Sequence, residues 1–449
     1  MTRSHSRTAL AAFAGIAGVI ALACASAPRE DPEPDTQQGL QMTMSQRKQA
    51  MKTLPGITVL IRDSLELLTG KKVGLLTNQT GIDENRVSDA DLLVAAAKSG
   101  KAPGMQLVML FSPEHGIRGT EDHMNVAGGT DASTGLPIIS LYGNNVLPPP
   151  DSALDKIDAL VIDLQDIGAR PWTYPASVVY AMRAAAQHHV MVLVLDRPNP
   201  INGESVEGPV LDSALAWAGS QSPERAAQPT ALFPIPLRHG MTMGELAKLY
   251  NSEMQLGADL HVIPMANWRR SRWFDRTGLP WVNPSPNMTS LTAATLYPGL
   301  VILEPANVSV GRGTPVPFQW VGAPWMNAKK VINVLDDFTH PGVKFSVETQ
   351  TPVKPTDFRY NGKKMKGVRI TITDRSVLQT SRLGAWIAFA IWKTHPDSFK
   401  VDSAGFARTF GEPVRDQLLK GLDPDQIIDS SLAATVEFRR RTKRFLMYP

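Results

Sequence analysis

A single cysteine in 449 residues, Cys24, excludes an internal disulfide and any paired-cysteine zinc or redox motif, so stability must come from a packed core. The chain has no HExxH and no His-x-His spacing to seed a metal centre. It also lacks a GxSxG nucleophile elbow, a Walker A loop and a GxGxxG after its first strand-like run. It carries no long basic run, RNA-binding motif or zinc-finger spacing. A net charge of +4 and a pI near 9.0 are too diffuse for nucleic acid, though they suit an anionic ligand. There is no internal repeat. With 43% hydrophobic and 20% charged residues, the composition is that of an ordinary globular protein, long enough for two or more domains.

The N-terminus reads as an address rather than as fold. Arg3 and Arg7 precede the apolar run Ala9–Ala23, which is too short and Ala-rich for a membrane span and has the layout of an export signal. Ala21-Leu22-Ala23-Cys24 resembles a lipobox, with Cys24 as the lipidated mature N-terminus; ordinary cleavage near Ala25 is the competing reading. The expected organisation is a signal over 1–24, a polar tether over 25–50, a main domain over 51–320 and a smaller one over 321–449.

Apolar runs then alternate with helical segments. Strands are expected at Lys72–Thr77, Leu107–Phe111, Pro137–Tyr142, Ala159–Leu164, Val190–Leu195 and Leu260–Pro264, with helices at Asp89–Lys98, Pro175–His188 and Met243–Ser252. Solid apolar strands alternating with helices predict an α/β fold with a mostly parallel sheet covered on both faces. The remainder, with strands at Val343–Glu348 and Val368–Thr373 and helices at Ala328–Phe338 and Ser381–Thr394, predicts a smaller α+β domain. In a parallel sheet the loops after the strands share one edge. The clusters TNQTG, SPEHG, QDIGARPWTY and DRPNPING should therefore converge on one crevice.

The sharpest of these is LVMLFSPEHGIRG, over 107–119. Pro113 ends the strand, and Glu114, His115 and Arg118 follow between glycines. A glutamate set against apolar surface and a tight turn holds its proton more firmly than one in water, which suits Glu114 to general acid work. His115 either supports it, contacts substrate or satisfies a loop carbonyl. Asp166 is the second carboxylate candidate, whereas Asp163, with Arg170 nearby, reads as a loop staple. Trp172 and Tyr174 offer aromatic faces to a sugar ring or to loop packing. Binding candidates are Asn78 and Arg118, then Asp196, Arg197 and Asn199 in a Pro-stiffened turn, and Glu207. Asn283, Ser285 and Asn287 between prolines, and Arg312 between two glycines as a carboxylate clamp, complete the set. Glu114, His115, His123, Asp163 and Asp166 are metal-ligand types without metal-ligand spacing, so no metal or cofactor is expected.

Seven motifs in order, LLTNQTG, LFSPEHGIRG, DLQDIGARPWTY, LDRPNPINGESVEGPVLD, PIPLRHGMTMGELA, WVNPSPNM and EPANVSVGRGTPVPF, are similar to those of the NamZ-type exo-β-N-acetylmuramidases, formerly DUF1343. The resemblance implies a Rossmann-like domain plus a smaller C-terminal domain with the site in the cleft between them. It also implies release of N-acetylmuramic acid from the non-reducing ends of peptidoglycan fragments, with Glu114 in the position of the family's catalytic glutamate. An arginine among Arg118, Arg170, Arg197 and Arg312 would then meet the lactyl carboxylate. The substrate's 2-acetamido group is a candidate nucleophile, with Asp166 or Glu207 to position it. Pro171-Trp172 and Pro305-Ala306 depart from the usual pattern and bear on the substrate more than on the reaction. The competing functions are a metal-dependent amidase or esterase on cell-wall material and a non-catalytic envelope binding protein.

Overall fold

The computed structural model describes residues 52–118, 127–143, 146–216 and 229–449, without the side chains of 412–415. The segments expected to form an export signal and a tether, with Cys24, Gly119 and His123, lie outside the described residues. The expected strands become β1 (Lys72–Thr77), β2 (Gln106–Ser112), β4 (Pro137–Ser140), β5 (Ala159–Asp163), β6 (Met191–Leu195) and β9 (Leu260–Ile263), joined by a short β3 (Gly129–Thr130). They form one sheet in the order β3-β4-β2-β1-β5-β6-β9, parallel throughout except for β3 on β4.

The solid apolar runs are explained by burial on both faces. Val73, Leu75, Leu110, Val161, Leu193 and Leu195 pack with Ile57, Leu60, Leu68 and Leu93 on one side. Leu76, Phe111, Leu160, Ile162, Val192 and Val194 belong to the larger core on the other side. That core includes residues from α2 (Tyr174–Gln187) and α3 (Met243–Glu253). α1 (Asp89–Lys98) begins on a Ser88 cap, and α3 begins with a capping box formed by Thr242 and Glu245.

Chain order places β1 at a switch point. The chain leaves β1 towards β2 and β4 on one side, then returns to β5, β6 and β9 on the other. The loops after β2 and β5 therefore diverge above the end of β1, where open α/β sheets hold their ligands.

The C-terminal part opens with α4 (Leu291–Leu300), which runs into a 3₁₀ turn over Val301–Leu303. A three-stranded antiparallel sheet follows in the order β10 (Trp320–Gly322), β12 (Met365–Ile372), β11 (Val343–Gln350). Around it lie α5 (Ala328–Asp336), α6 (Thr380–Thr394), α7 (Ser403–Phe410) and α8 (Leu432–Thr442). α4 and α6 cross backbone to backbone: a Cβ on Gly384 would lie 2.1 Å from the Gly299 carbonyl oxygen, and one on Gly299 would lie 2.2 Å from that of Thr380. Only glycine permits this approach, and it fixes where α4 delivers Glu304. The β7 (Glu207–Val210) and β8 (Pro236–Arg238) ladder is a separate two-stranded sheet.

α4 has no counterpart among the expected helices because Pro298 and Gly299 lie inside it and no amphipathic stripe marks a fully buried helix. Among the described residues no helix is long and apolar enough to cross a membrane.

Candidate active site

Glu114 stands just past the end of β2. After it, His115 and Gly116 both take left-handed backbone, with φ of 71° and 74°, and the Gly116 N–H donates to the Pro113 carbonyl at 3.1 Å. That conformation costs a histidine about 1 kcal/mol, and strain of this kind collects at functional loops. Thr173, on the loop after β5, donates its hydroxyl to Glu114 Oε2. The two loops that flank the switch point thus meet at this carboxyl group, and among the described residues Oε1 accepts no hydrogen bond.

A cavity of about 480 Å³ opens here, lined by Glu114, His115, Trp172, Thr173, Ser285 and Tyr297 on the sheet side. The far wall comes from the C-terminal part and includes Glu304, Arg312, Arg359, Asp402 and Arg408. Its size is that of small-ligand sites. Trp172 packs edge-on against Tyr174 and Tyr297 with centroids 5.5 and 5.9 Å apart, and Tyr297 in turn against Phe318 at 4.8 Å. Tyr297 donates to the Pro171 carbonyl at 2.6 Å. Burial, with Glu304 and Glu114 nearby, pushes its phenol well above the usual range, so it stays neutral. Arg312 binds Glu304 through Nη2 at 2.6 Å and Nε at 2.7 Å and lies over the Phe318 ring. Asp402 caps α7, accepting from the Ala404 and Gly405 N–H groups.

Of the residues singled out in the sequence, Glu114, His115, Ser285, Trp172 and Arg312 line this cavity. The others are drawn into the framework. Asp166 is buried beside it, accepting from the Gly168 N–H at 2.7 Å and lying 3.3 Å from His239 Nε2. Asn78 ties the β1 loop to Tyr174 at 2.9 Å, and Tyr174 donates to the Pro284 carbonyl at 2.6 Å. Arg118 pairs with Asp131 at 2.6 Å.

Asp163 is a staple as expected, but its partner is Arg197, not Arg170. Arg170 is fully buried, which lowers its pKa to about 10, and it donates to the carbonyls of Arg408 and Thr409. Asp196 accepts from Tyr448 at 2.5 Å, Thr242 at 2.7 Å and the Gly244 N–H at 2.8 Å, tying the chain's C-terminus to α3. Burial pushes its carboxyl up to about 7 against those three bonds. Asn199 donates to the Met241 carbonyl at 3.0 Å. Glu207 pairs with Arg238 at 2.6 Å in a different cavity. Asn283 accepts from Trp281 Nε1 at 3.1 Å, and Asn287 donates to Thr356 at 3.2 Å.

Thr173, Tyr297, Glu304, Arg359, Asp402 and Arg408 line the cavity without having been singled out. Glu304 opens the EPANVSVGRG motif and Arg359 lies in the polar run KPTDFRYNGKK, so a signal existed for both; Arg408, in SAGFARTFG, sits in a stretch without clustered polar residues. Among the described residues no group of three or more His, Cys, Asp or Glu side chains is placed to hold a metal ion.

A carboxyl group at the switch point of a parallel sheet, set beside aromatic rings and faced across a small-ligand cavity by further carboxylates and arginines, suits a glycoside hydrolase. Residues 73–292 match the family model for the N-terminal domain of exo-β-N-acetylmuramidase NamZ, and residues 295–448 match that for its C-terminal domain. The chain belongs to the NamZ exo-β-N-acetylmuramidase family. It is 36% identical over 400 residues to the peptidoglycan β-N-acetylmuramidase NamZ of Bacillus subtilis strain 168, covering 88% of this chain and 92% of that one. Two crystal structures of DUF1343 family proteins from Bacteroides fragilis share the fold. One has a TM-score of 0.78 at 32% identity, covering 89% of this chain and all of the other. The second has a TM-score of 0.68 at 28% identity, covering 88% and 99%.

Proposed function

We propose that this protein releases N-acetylmuramic acid from the non-reducing ends of peptidoglycan fragments, with Glu114 as the general acid. The observation that carries the reading is the Thr173–Glu114 contact. It fixes the carboxyl group at the mouth of the switch point and leaves Oε1 to protonate the glycosidic oxygen. Neither Asp166 nor Glu207 lines the cavity, so Glu304, held by Arg312, takes the place of the second carboxylate and orients the substrate's 2-acetamido group as internal nucleophile.

The test is a proton NMR time course on a muramyl disaccharide with N-acetylmuramic acid at its non-reducing end. Free N-acetylmuramic acid should accumulate, first as the β-anomer. No monosaccharide release would overturn the muramidase reading; an initial α-anomer would overturn the acetamido route alone.

We propose further that the enzyme acts outside the cytoplasm, anchored through lipid on Cys24. This rests on Arg3, Arg7 and the Ala9–Ala23 run. Membrane-fraction retention should be lost in Cys24→Ala; a wild type found only in the soluble fraction would contradict the anchor.

A further inference from the structure

The cavity holds three guanidinium groups, and their engagements differ. Arg312 gives Nε and Nη2 to Glu304 and Nη1 to Thr356 at 3.3 Å. Arg359 donates Nη1 to the Val308 carbonyl at 3.2 Å. The half-buried side chain of Arg408 has no hydrogen bond or ion pair among the described residues, and it borders the cavity.

Its placement is nevertheless tightly built. α7 starts on the Asp402 cap, and Gly405 rests against Pro305 so closely that a Cβ there would lie 2.8 Å from the proline ring. At the far end Arg170, fully buried, donates to the Arg408 carbonyl at 2.7 Å and to the Thr409 carbonyl at 2.9 Å. Those last-turn carbonyls have no partner within the helix, and a cation there also offsets the helix dipole. The loop after β5 thus holds Glu114 through Thr173 and, three residues earlier, holds the turn that presents Arg408.

N-acetylmuramic acid differs from N-acetylglucosamine by one anionic feature, its lactyl carboxylate. A guanidinium presented to the cavity with its donors uncommitted matches that group in charge and in forked geometry. We propose that Arg408 binds the lactyl carboxylate and selects muramic acid, with Arg170 as the positioning residue behind it. The assignment rests on the muramidase reading. Of the cavity's three acidic groups, Asp402 is committed to the α7 N–H groups, Glu304 to Arg312 and Glu114 to Thr173, and among the described residues none of them pairs with Arg408, which leaves Arg408 to the substrate.

The test compares 4-nitrophenyl β-N-acetylmuramide with its lactyl amide, which keeps the shape and removes the charge. Wild type should show kcat/KM about 10- to 100-fold lower on the amide, carried mainly by KM. Arg408→Gln should lose about that factor on the acid and little on the amide, so that the two substrates converge. Arg408→Lys should recover part of the difference, and its recovery also shows that the site folds. Arg359→Gln should keep the wild-type preference. An Arg408→Gln enzyme that still prefers the acid as strongly as wild type overturns the Arg408 assignment alone. A wild type that hydrolyses neither substrate overturns it together with the muramidase reading.

Discussion

Glu114→Gln is expected to slow hydrolysis of a muramyl disaccharide by about 10²- to 10⁴-fold, the usual contribution of a general acid. The loss should fall on kcat with KM nearly unchanged, because proton donation acts only as the glycosidic bond breaks. The substitution keeps the size of the side chain and an oxygen that can still accept from Thr173. The turn over Pro113–Gly116 is set by backbone rather than by the carboxyl group, so the unfolding midpoint should stay at the wild-type value. Chemical denaturation beside steady-state kinetics separates the two; a matching drop in stability would mean that Glu114 is structural.

The second large effect concerns the framework. Arg197→Met is expected to destabilise the fold by about 3–5 kcal/mol, measured by urea unfolding near neutral pH. Arg197 is buried, donates from Nε and Nη2 to both oxygens of Asp163, and gives Nη2 also to the Ile82 carbonyl at 2.8 Å. Asp89 lies 3.9 Å from the same guanidinium. Burial first, and Asp163 second, hold the Asp89 carboxyl well above the usual range. Among the described residues both Asp89 oxygens are buried and without a hydrogen-bond partner. Removing the cation strands Asp163 without compensation. The sign with pH follows from linkage. An acid whose folded pKa is raised supports the fold below its unfolded pKa, and that support is lost as pH rises. The penalty for removing the buried cation should therefore shrink as pH falls towards about 4, where carboxylates take up protons. A penalty unchanged with pH would contradict the charge argument, and so would additive effects in an Arg197→Met, Asp163→Asn double variant.

This framework role shows what could be read from the chain and what could not. The parallel sheet was legible because strands buried on both faces must be apolar along their length, as Val73–Leu76 and Ala159–Ile162 are. Chain order then places their trailing loops along one edge. Glu114 was legible for the same reason, as an ionisable residue directly beyond a proline that stops a buried strand.

The direction in which a polar loop residue points was not legible. Asn78, Asp166, Arg170, Asp196, Arg197 and Asn199 sit in the expected crevice loops, yet they bind neighbouring loops. A crevice built from several strand-end turns has to satisfy the backbone of each, and short-range pattern does not distinguish a staple from a ligand contact. The far wall was hidden for another reason. Glu304, Asp402 and Arg408 reach the cavity through the α4–α6 crossing and the capping of α7 by Arg170. Both are long-range contacts without local periodicity.

The central claim is that Glu114 delivers a proton to the departing oxygen, and the most direct measurement varies how much the leaving group needs one. A sugar hydroxyl leaves poorly without protonation, whereas 4-nitrophenolate leaves readily. The rate ratio of wild type to Glu114→Gln should be measured on the muramyl disaccharide and on 4-nitrophenyl β-N-acetylmuramide. A proton donor predicts a loss at least about tenfold larger on the disaccharide. Equal losses on the two substrates, or a variant near the wild-type rate on both, would contradict it.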